Sequence, residues 1–179
     1  MYKSKTRIKE YFETKNYSTF VLVTLGGIFL ALLEEAFATF MTNLAPFFGF
    51  PTNEVFITAS ANYIEVVTQH SVIVFIPWFI AWDFILRKYT IHPNIVIILF
   101  GITGLFAEVL VFGSEHVTEI GFWIIIYGLM IYLPAHIVYN PKSKTKLNNW
   151  FYPFLIIIPF VFLVLWSFVV LFFILAFFH

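Results

Sequence analysis

Apolar residues along this chain gather into five long runs, and short segments that hold most of the charged residues separate them. A helix needs about 20 residues to cross a hydrocarbon core of about 30 Å. Five runs reach that length: residues 19–41, 66–86, 94–112, 120–139 and 151–178. The pattern therefore predicts an all-α, polytopic integral membrane protein with five transmembrane helices, of which the last is long enough to tilt.

Basic residues mark alternate connections between these runs. All ten Lys and Arg fall within residues 1–18, 86–93 and 140–150, whereas most acidic residues fall in the other connections or in the adjoining halves of the runs. Cytoplasmic segments of membrane proteins carry an excess of Lys and Arg. We therefore expect a multi-pass protein of the cell membrane with its N-terminus in the cytoplasm and its C-terminus outside. Residues 1–18 would form a basic cytoplasmic segment, and residues 19–179 a five-helix transmembrane domain.

Composition agrees with this assignment and excludes several classes of function. The chain is 61% hydrophobic, which would leave too much apolar surface on a soluble domain of this size. Its formal net charge is zero, so no overall field attracts nucleic acid. It has no Cys, which excludes disulfides and thiolate metal sites. The expected partners are the lipid bilayer and other membrane protein subunits or a second copy of the chain, with no nucleic acid.

Two pairs of runs share short sequence patterns. A Gly-Ile pair precedes a Glu by seven residues in both the first and the third run, at Gly27 and Glu34 and again at Gly101 and Glu108. The second and fourth runs both contain a Pro about six residues before a polar residue at a basic turn. These patterns are consistent with a duplicated two-helix hairpin followed by a fifth helix, an arrangement that parallel-repeat transporters also use. Chance similarity between apolar sequences is the alternative.

Carboxylates inside two of the predicted spans are the leading candidates for a functional site. Glu34 and Glu35 lie about 15 residues into the first span, roughly 22 Å from its cytoplasmic end, and Glu108 lies at a similar depth in the third. Each lies on or near a stripe of small residues, which lets helices approach closely. We therefore expect helix contacts at Gly27, Ala31, Gly101 and Gly104. A carboxylate at this depth normally faces the protein interior. The alternatives are a helix that surfaces at Glu35, and a single neutral Glu108 bonded between helices.

An imidazole near these carboxylates suggests a ligand set. His116 follows Glu108 by eight residues, about two helical turns, so both side chains can face one pocket if the helix continues. Carboxylate and imidazole together bind Zn, Fe, Mn or Cu. We therefore take Glu34, Glu35, Glu108 and His116 as candidate ligands for a metal or other cation, with a divalent metal ion as one candidate cofactor. The chain has neither of the ligand spacings Glu-x-x-His and His-x-x-x-His.

Three short fragments are similar to motifs of the CAAX-type intramembrane glutamate proteases, which carry Glu-Glu-x-x-x-Arg, Phe-x-x-x-His and His-x-x-x-Asn. The matching positions here are Glu34-Glu35 with Thr39 in place of the Arg, Phe112 with His116, and His136 with Asn140. The predicted topology puts Glu34 and His136 about 20 Å apart along the membrane normal. Because residues so far apart cannot activate one water molecule, we do not extend the protease activity to this chain.

Three functions remain open from the sequence. Aromatic-rich spans with few polar groups favour a non-catalytic integral subunit of a larger membrane complex, of respiratory or monooxygenase type, with an acidic pocket facing outward. The intramembrane carboxylates suggest a small cation or proton transporter instead. The carboxylate and imidazole groups suggest an outward-facing metal-dependent membrane enzyme. The sequence is compatible both with an enzyme and with a protein that has no catalytic role.

Overall fold

Helices form nearly all of this protein. The computed structural model describes residues 2–51, 58–141 and 144–178. The α-helices are α1 (Tyr2–Lys15), α2 (Gly26–Leu44), α3 (Tyr63–Glu65), α4 (Val72–Lys88), α5 (Pro93–Phe112), α6 (Ile120–Val138) and α7 (Phe154–Phe178). Two short strands, β1 (Tyr89–Thr90) and β2 (Thr145–Lys146), pair in parallel. Four helical segments are long and apolar enough to cross a membrane, or five if a bent pair counts as one span. The chain is an all-α membrane protein.

The first span is longer than the sequence predicts. A π-helical turn at Val21–Leu25 leads into α2, and a 3₁₀ turn at Ala45–Phe48 follows it, so that an apolar segment of 28 residues runs from Val21 to Phe48. We expected the span to end near residue 41. The helix continues because no residue between there and Pro46 interrupts it, and the chain turns only at Gly49, where φ is 82°.

The second span is bent, which the sequence analysis does not predict. A short helical segment, Tyr63–His70, meets α4 at an angle of 49°, and Ser71 lies at the break. The last turn before the break, Val66–His70, is π-helical. Backbone hydrogen bonds from the amides of Val74 and Phe75 to the carbonyl of Ser71 start the new helix. The span expected over residues 66–86 therefore consists of two segments that differ in direction.

Helices α5 and α6 form the closest pair in the bundle, because glycines bring their backbones together. A Cβ atom on Gly101 would strike the Ile124 backbone, and one on Gly104 would strike the Tyr127 ring. On the facing helix, a Cβ atom on Gly128 would likewise strike Ile97, including its backbone. In α2, Gly27 packs on Phe79 and Ala31 is fully buried. The predicted helix contacts at Gly27, Ala31, Gly101 and Gly104 are confirmed.

The two hairpins of the suspected duplication do not pack in the same register. The sequence patterns align Gly27 with Gly101, and Phe79 with His136. Gly27 packs on Phe79, but Gly101 packs on Ile124, which lies 12 residues before His136. The order of the helices is the one expected of a duplication, but the residues in contact do not correspond between the two hairpins. The duplication therefore stays a prediction.

Aromatic rings fill the middle of the bundle. Phe79 and Phe100 stack with ring centroids 5.4 Å apart, and Trp78 meets Phe100 edge-on at 6.0 Å. Trp82 is also fully buried against this group. Helix α7 lies outside it and packs through Phe160, whose ring centroid is 5.7 Å from that of Trp78. Of an apolar stretch of 18 residues within Phe154–Phe172 of α7, only 11% are buried, compared with at least 33% in the corresponding stretches of the other long spans.

The two ends of the bundle differ in charge. At one end, here called the basic end, α1 lies against α6, and Lys9 Nζ donates a hydrogen bond to the Tyr139 carbonyl at 2.6 Å. Lys144 Nζ donates to the carbonyls of Leu86 and Val138, at 2.7 and 3.0 Å, and so binds the last turns of α4 and α6 together. The opposite end, where α2 and α5 finish and α4 and α6 begin, carries Glu65, Glu115 and Glu119 and is called the acidic end.

Candidate functional site

A cavity of ≈ 790 Å³ opens at the acidic end. Its walls come from α2, α4, α5 and α6, and from the irregular segments that connect them. The four candidate ligands all line it, and its other polar or aromatic lining residues are Thr58, Gln69, His70, Ser71, Phe75, Trp78, Glu119, Phe122, Trp123 and Tyr127. The structure therefore brings together the residues that the sequence analysis selects, and their role as ligands stays a prediction.

Helix α2 supplies two of the carboxylates. Glu35 is 6% exposed and accepts a hydrogen bond from Thr58 Oγ1 at 2.8 Å. Glu34 is half-buried, lines the cavity and interacts electrostatically with both Glu35 and Glu108. Glu34 lies 13 residues after Val21 and 14 before Phe48, midway along the apolar segment that those residues bound. The sequence places it nearer one end, because the predicted span stops too early.

Helices α5 and α6 supply a wall in which acidic and aromatic side chains alternate. The Tyr127 hydroxyl donates a hydrogen bond to Glu108 Oε1. Trp123 stacks on the Tyr127 ring with centroids 5.7 Å apart, and its Nε1 donates to Glu119 Oε2 at 2.9 Å. The glycine contacts explain this wall: Gly104 leaves room for the Tyr127 ring, whose hydroxyl reaches Glu108.

His116 lies at the rim of the cavity, on a 3₁₀ segment, Ser114–Glu119, that joins α5 to α6. Its Nδ1 is 3.7 Å from Glu119 Oε2, and its ring meets Trp123 edge-on at 5.3 Å. The condition that α5 continues to His116 is not met, and the predicted end of the third span at residue 112 is confirmed. Helix α5 ends at Phe112, and Gly113 with φ 120° turns the chain there. His116 reaches the cavity through this turn.

The bend in the second span opens the third wall. Gln69, His70 and Ser71 all line the cavity at the point where the chain changes direction. His70 Nε2 also lies 3.8 Å from Glu65 Oε1. Gln69 and Ser71 are not among the site residues predicted from the sequence. The polar run Thr68–Gln69–His70–Ser71 inside an otherwise apolar span is the signal that identifies them.

An aromatic layer forms the floor of the cavity. Phe75 and Trp78 project from α4 and are 4% and 1% exposed, with ring centroids 5.5 Å apart. The Phe75 ring also contacts the Tyr127 ring, with centroids 5.5 Å apart. Phe79, Phe100 and Trp82 pack directly beneath. Described residues therefore separate the cavity from the basic end by at least two layers of rings.

Metal binding gains no support from the geometry. Among residues 2–51, 58–141 and 144–178, no group of three or more His, Asp or Glu side chains converges closely enough to hold a metal ion. The four candidates share one cavity but not one point in it. A divalent metal cofactor therefore stays a prediction from residue types alone.

The protease-like fragments do not meet. His136 lies two residues before the end of α6 at the basic end, where its ring is 6.2 Å from that of Tyr132. Glu34, Glu35 and His116 line the cavity at the acidic end, and His136 is not among the lining residues. No protein family, curated protein or solved structure that was compared with this chain matches it.

Proposed function

We propose that this protein binds a cation in the cavity, which faces outward from the cell membrane, and that it does so as a non-catalytic integral subunit of a larger membrane complex. Orientation follows from the Lys and Arg residues of the basic end, which the positive-inside rule assigns to the cytoplasm. The acidic end then faces outward, and Glu34, Glu35 and Glu108 become intramembrane carboxylates.

The observation that carries this proposal is a set of carboxylates in one cavity within an otherwise apolar bundle. Glu34, Glu35, Glu108 and Glu119 line it, and the basic side chains among the lining residues are only His70 and His116. Carboxylates in a low-dielectric site repel one another unless a proton or another cation is present. A cation therefore gains favourable interactions here, and an anion is rejected.

The aromatic floor favours a binding subunit over a channel. Phe75, Trp78, Phe79 and Phe100 are each at most 4% exposed. A hydrated ion cannot pass such a layer without rearrangement of several buried rings. The weakly buried α7 also leaves a long apolar face, which lipid or a neighbouring subunit would cover.

A transporter is the second candidate, and the bent second span favours it. Transporters build substrate sites from broken helices near the middle of the membrane. Here the 49° break and a π-helical turn lie at the cavity wall, and another π-helical turn begins the first span. Flux of a bound cation into proteoliposomes made from this chain alone would establish transport and contradict the subunit proposal.

Cation binding is tested by ligand-dependent stability. We expect at least one chloride salt among sodium, potassium, magnesium and choline to raise the melting temperature of the purified protein, because a ligand of the native state stabilises it by RT ln(1 + [L]/Kd). Glu108→Gln should remove that shift and keep the unliganded melting temperature, since the amide still accepts a bond from Tyr127. Glu115→Gln makes the same charge change outside the cavity and should keep the shift. A shift equal in all three proteins contradicts the proposal.

Orientation and assembly need separate measurements. Cysteine placed at Asn53 should react with an impermeant maleimide added outside cells, and cysteine placed at Lys144 should not. Labelling of Asn53 only from the cytoplasmic side would reverse the assignment. Purification from native membranes in a mild detergent should give a stoichiometric hetero-complex. A particle that contains only copies of this 20.9 kDa chain contradicts the subunit role.

A further inference from the structure

The size of the cavity bears on what kind of cation it holds, an argument that rests on the proposed function. At ≈ 790 Å³ it falls in the range of sites for small organic molecules, about 300–1,000 Å³. A single inorganic ion would contact only a small part of this surface. The described residues also offer no convergent group of three His, Asp or Glu side chains that could hold a metal ion. Both observations point to a larger ligand.

The wall chemistry specifies the charge-bearing group. Aromatic rings of Phe75, Trp123 and Tyr127 lie around the cavity, and the Glu108 carboxylate is fixed beside the Tyr127 ring. Rings attract cations through their negative faces, and quaternary ammonium groups are recognised by such aromatic surfaces. A carboxylate next to the rings adds the counter-charge. Inorganic ions prefer closely spaced oxygen ligands, which this wall does not provide.

We propose that the cavity binds a small organic ammonium cation, with its charged group between Glu108 and the Trp123–Tyr127 pair. The ligand class is that of small amines and their quaternary derivatives. Glu34 and Glu35 line the wall that α2 forms and add two further carboxyl groups.

Choline is the test ligand, and 3,3-dimethyl-1-butanol is its neutral control of the same shape. Titration calorimetry on the full-length protein in detergent should show choline binding with a Kd at least tenfold lower than that of the control. Glu108→Gln should raise the choline Kd about tenfold or more. Trp123→Leu should raise it about 2- to 30-fold, whereas Trp123→Phe keeps a ring and should raise it less. Glu115→Gln should leave it unchanged.

The outcomes separate this inference from the proposed function. If sodium, potassium or magnesium binds in a Glu108-dependent way and choline does not, the cation site stands and the organic ligand is wrong. If the neutral alcohol binds as well as choline, the cavity is merely apolar and the ammonium proposal is overturned. If no probe binds and Glu108→Gln changes nothing, both proposals fail. Melting curves of each variant, compared with the unaltered protein, show whether a lost signal reflects unfolding.

Discussion

The hairpin α2–α4 and the hairpin α5–α6 begin from the same short pattern, a Gly-Ile pair seven residues before a Glu, and they pack differently. In α5–α6, Gly101 and Gly104 lie against the Ile124 backbone and the Tyr127 ring, so the two helices touch along their length. In α2–α4, Gly27 meets a single side chain, Phe79, and the second span changes direction at Ser71 toward the acidic end. The cavity opens at this bend, where Gln69, His70 and Ser71 line it.

The difference shows that a small-residue stripe sets only how closely two helices are able to approach. What lies opposite the glycine sets how closely they do approach. A backbone opposite the glycine fixes the distance between helix axes, whereas a Phe ring keeps the second helix farther away. Rigid and open regions of one bundle thus arise from similar sequences, and the cavity lies at their boundary.

Filling the tight hairpin should have the largest effect. Gly104→Leu places a side chain where the Tyr127 ring lies, so we expect it to lower the free energy of unfolding by about 3 kcal/mol or more. Gly121→Leu is the control, since a Cβ there meets nothing within 4 Å. Unfolding by SDS titration in mixed micelles measures both. Equal stability of the two variants would show that α5 and α6 are not in close contact.

Alanine at Gly27 and at Gly101, which occupy equivalent positions in the shared sequence pattern, sharpens the comparison between the two hairpins. Gly101→Ala directs a methyl group at backbone atoms of Ile124, which cannot move without shifting α6. Gly27→Ala directs one at the Phe79 ring, which can rotate at some cost in the aromatic core. Replacing a helical Gly by Ala stabilises the helix by about 1 kcal/mol, and both variants share this gain. Apart from it, we expect Gly101→Ala to be more destabilising than Gly27→Ala by about 1–2 kcal/mol. The same titration applies, and the reverse order would refute our account of the two hairpins.

Part of this architecture follows from the sequence. Hydrophobic run lengths predict the number and order of the spans, and the glycine and alanine stripes predict which helix faces are buried, because both depend on local periodicity. The candidates Glu34, Glu35, Glu108 and His116 do line one cavity.

The rest depends on contacts that local periodicity does not encode. The break at Ser71 decides where Gln69 and His70 lie, and the predicted unbroken span over residues 66–86 does not include it. The hydrogen bond from Thr58 to Glu35 joins residues 23 apart in the chain, through a loop whose path no pattern predicts. From the sequence, Lys144 indicates only which side of the membrane its segment lies on. In the fold its ammonium group also donates hydrogen bonds to the ends of two helices.

Lys144 joins the two hairpins at the end where they do not separate. Its ammonium group donates to Leu86 at the end of α4 and to Val138 at the end of α6. Lys144→Met removes both charge-assisted bonds and leaves two helix-end carbonyls without them, so we expect a loss of about 1.5–3 kcal/mol. Lys146→Met, an exposed neighbour, is the matched control and should change stability little. If both variants unfold at the same SDS fraction, the hydrogen bonds of Lys144 contribute nothing to stability.

The smallest expected effect is a pH dependence of the free energy of unfolding that arises from Lys144. Burial lowers the pKa of Lys144 from its model-compound value of 10.5, and nearby Lys9 lowers it further, while the Asp83 carboxylate opposes them. The folded state therefore releases the proton at a lower pH than the unfolded state does. Between the lowered pKa and 10.5 the unfolded chain binds more protons, so stability should rise with pH in that window. Measured between pH 8 and about 10.5, the stability of the unaltered protein should rise relative to that of Lys144→Met, in which the group is missing. A fall in stability relative to Lys144→Met over the same range would contradict this expectation. It would mean that the attraction of the Lys144 ammonium group to Asp83 and the two carbonyls outweighs the cost of its burial.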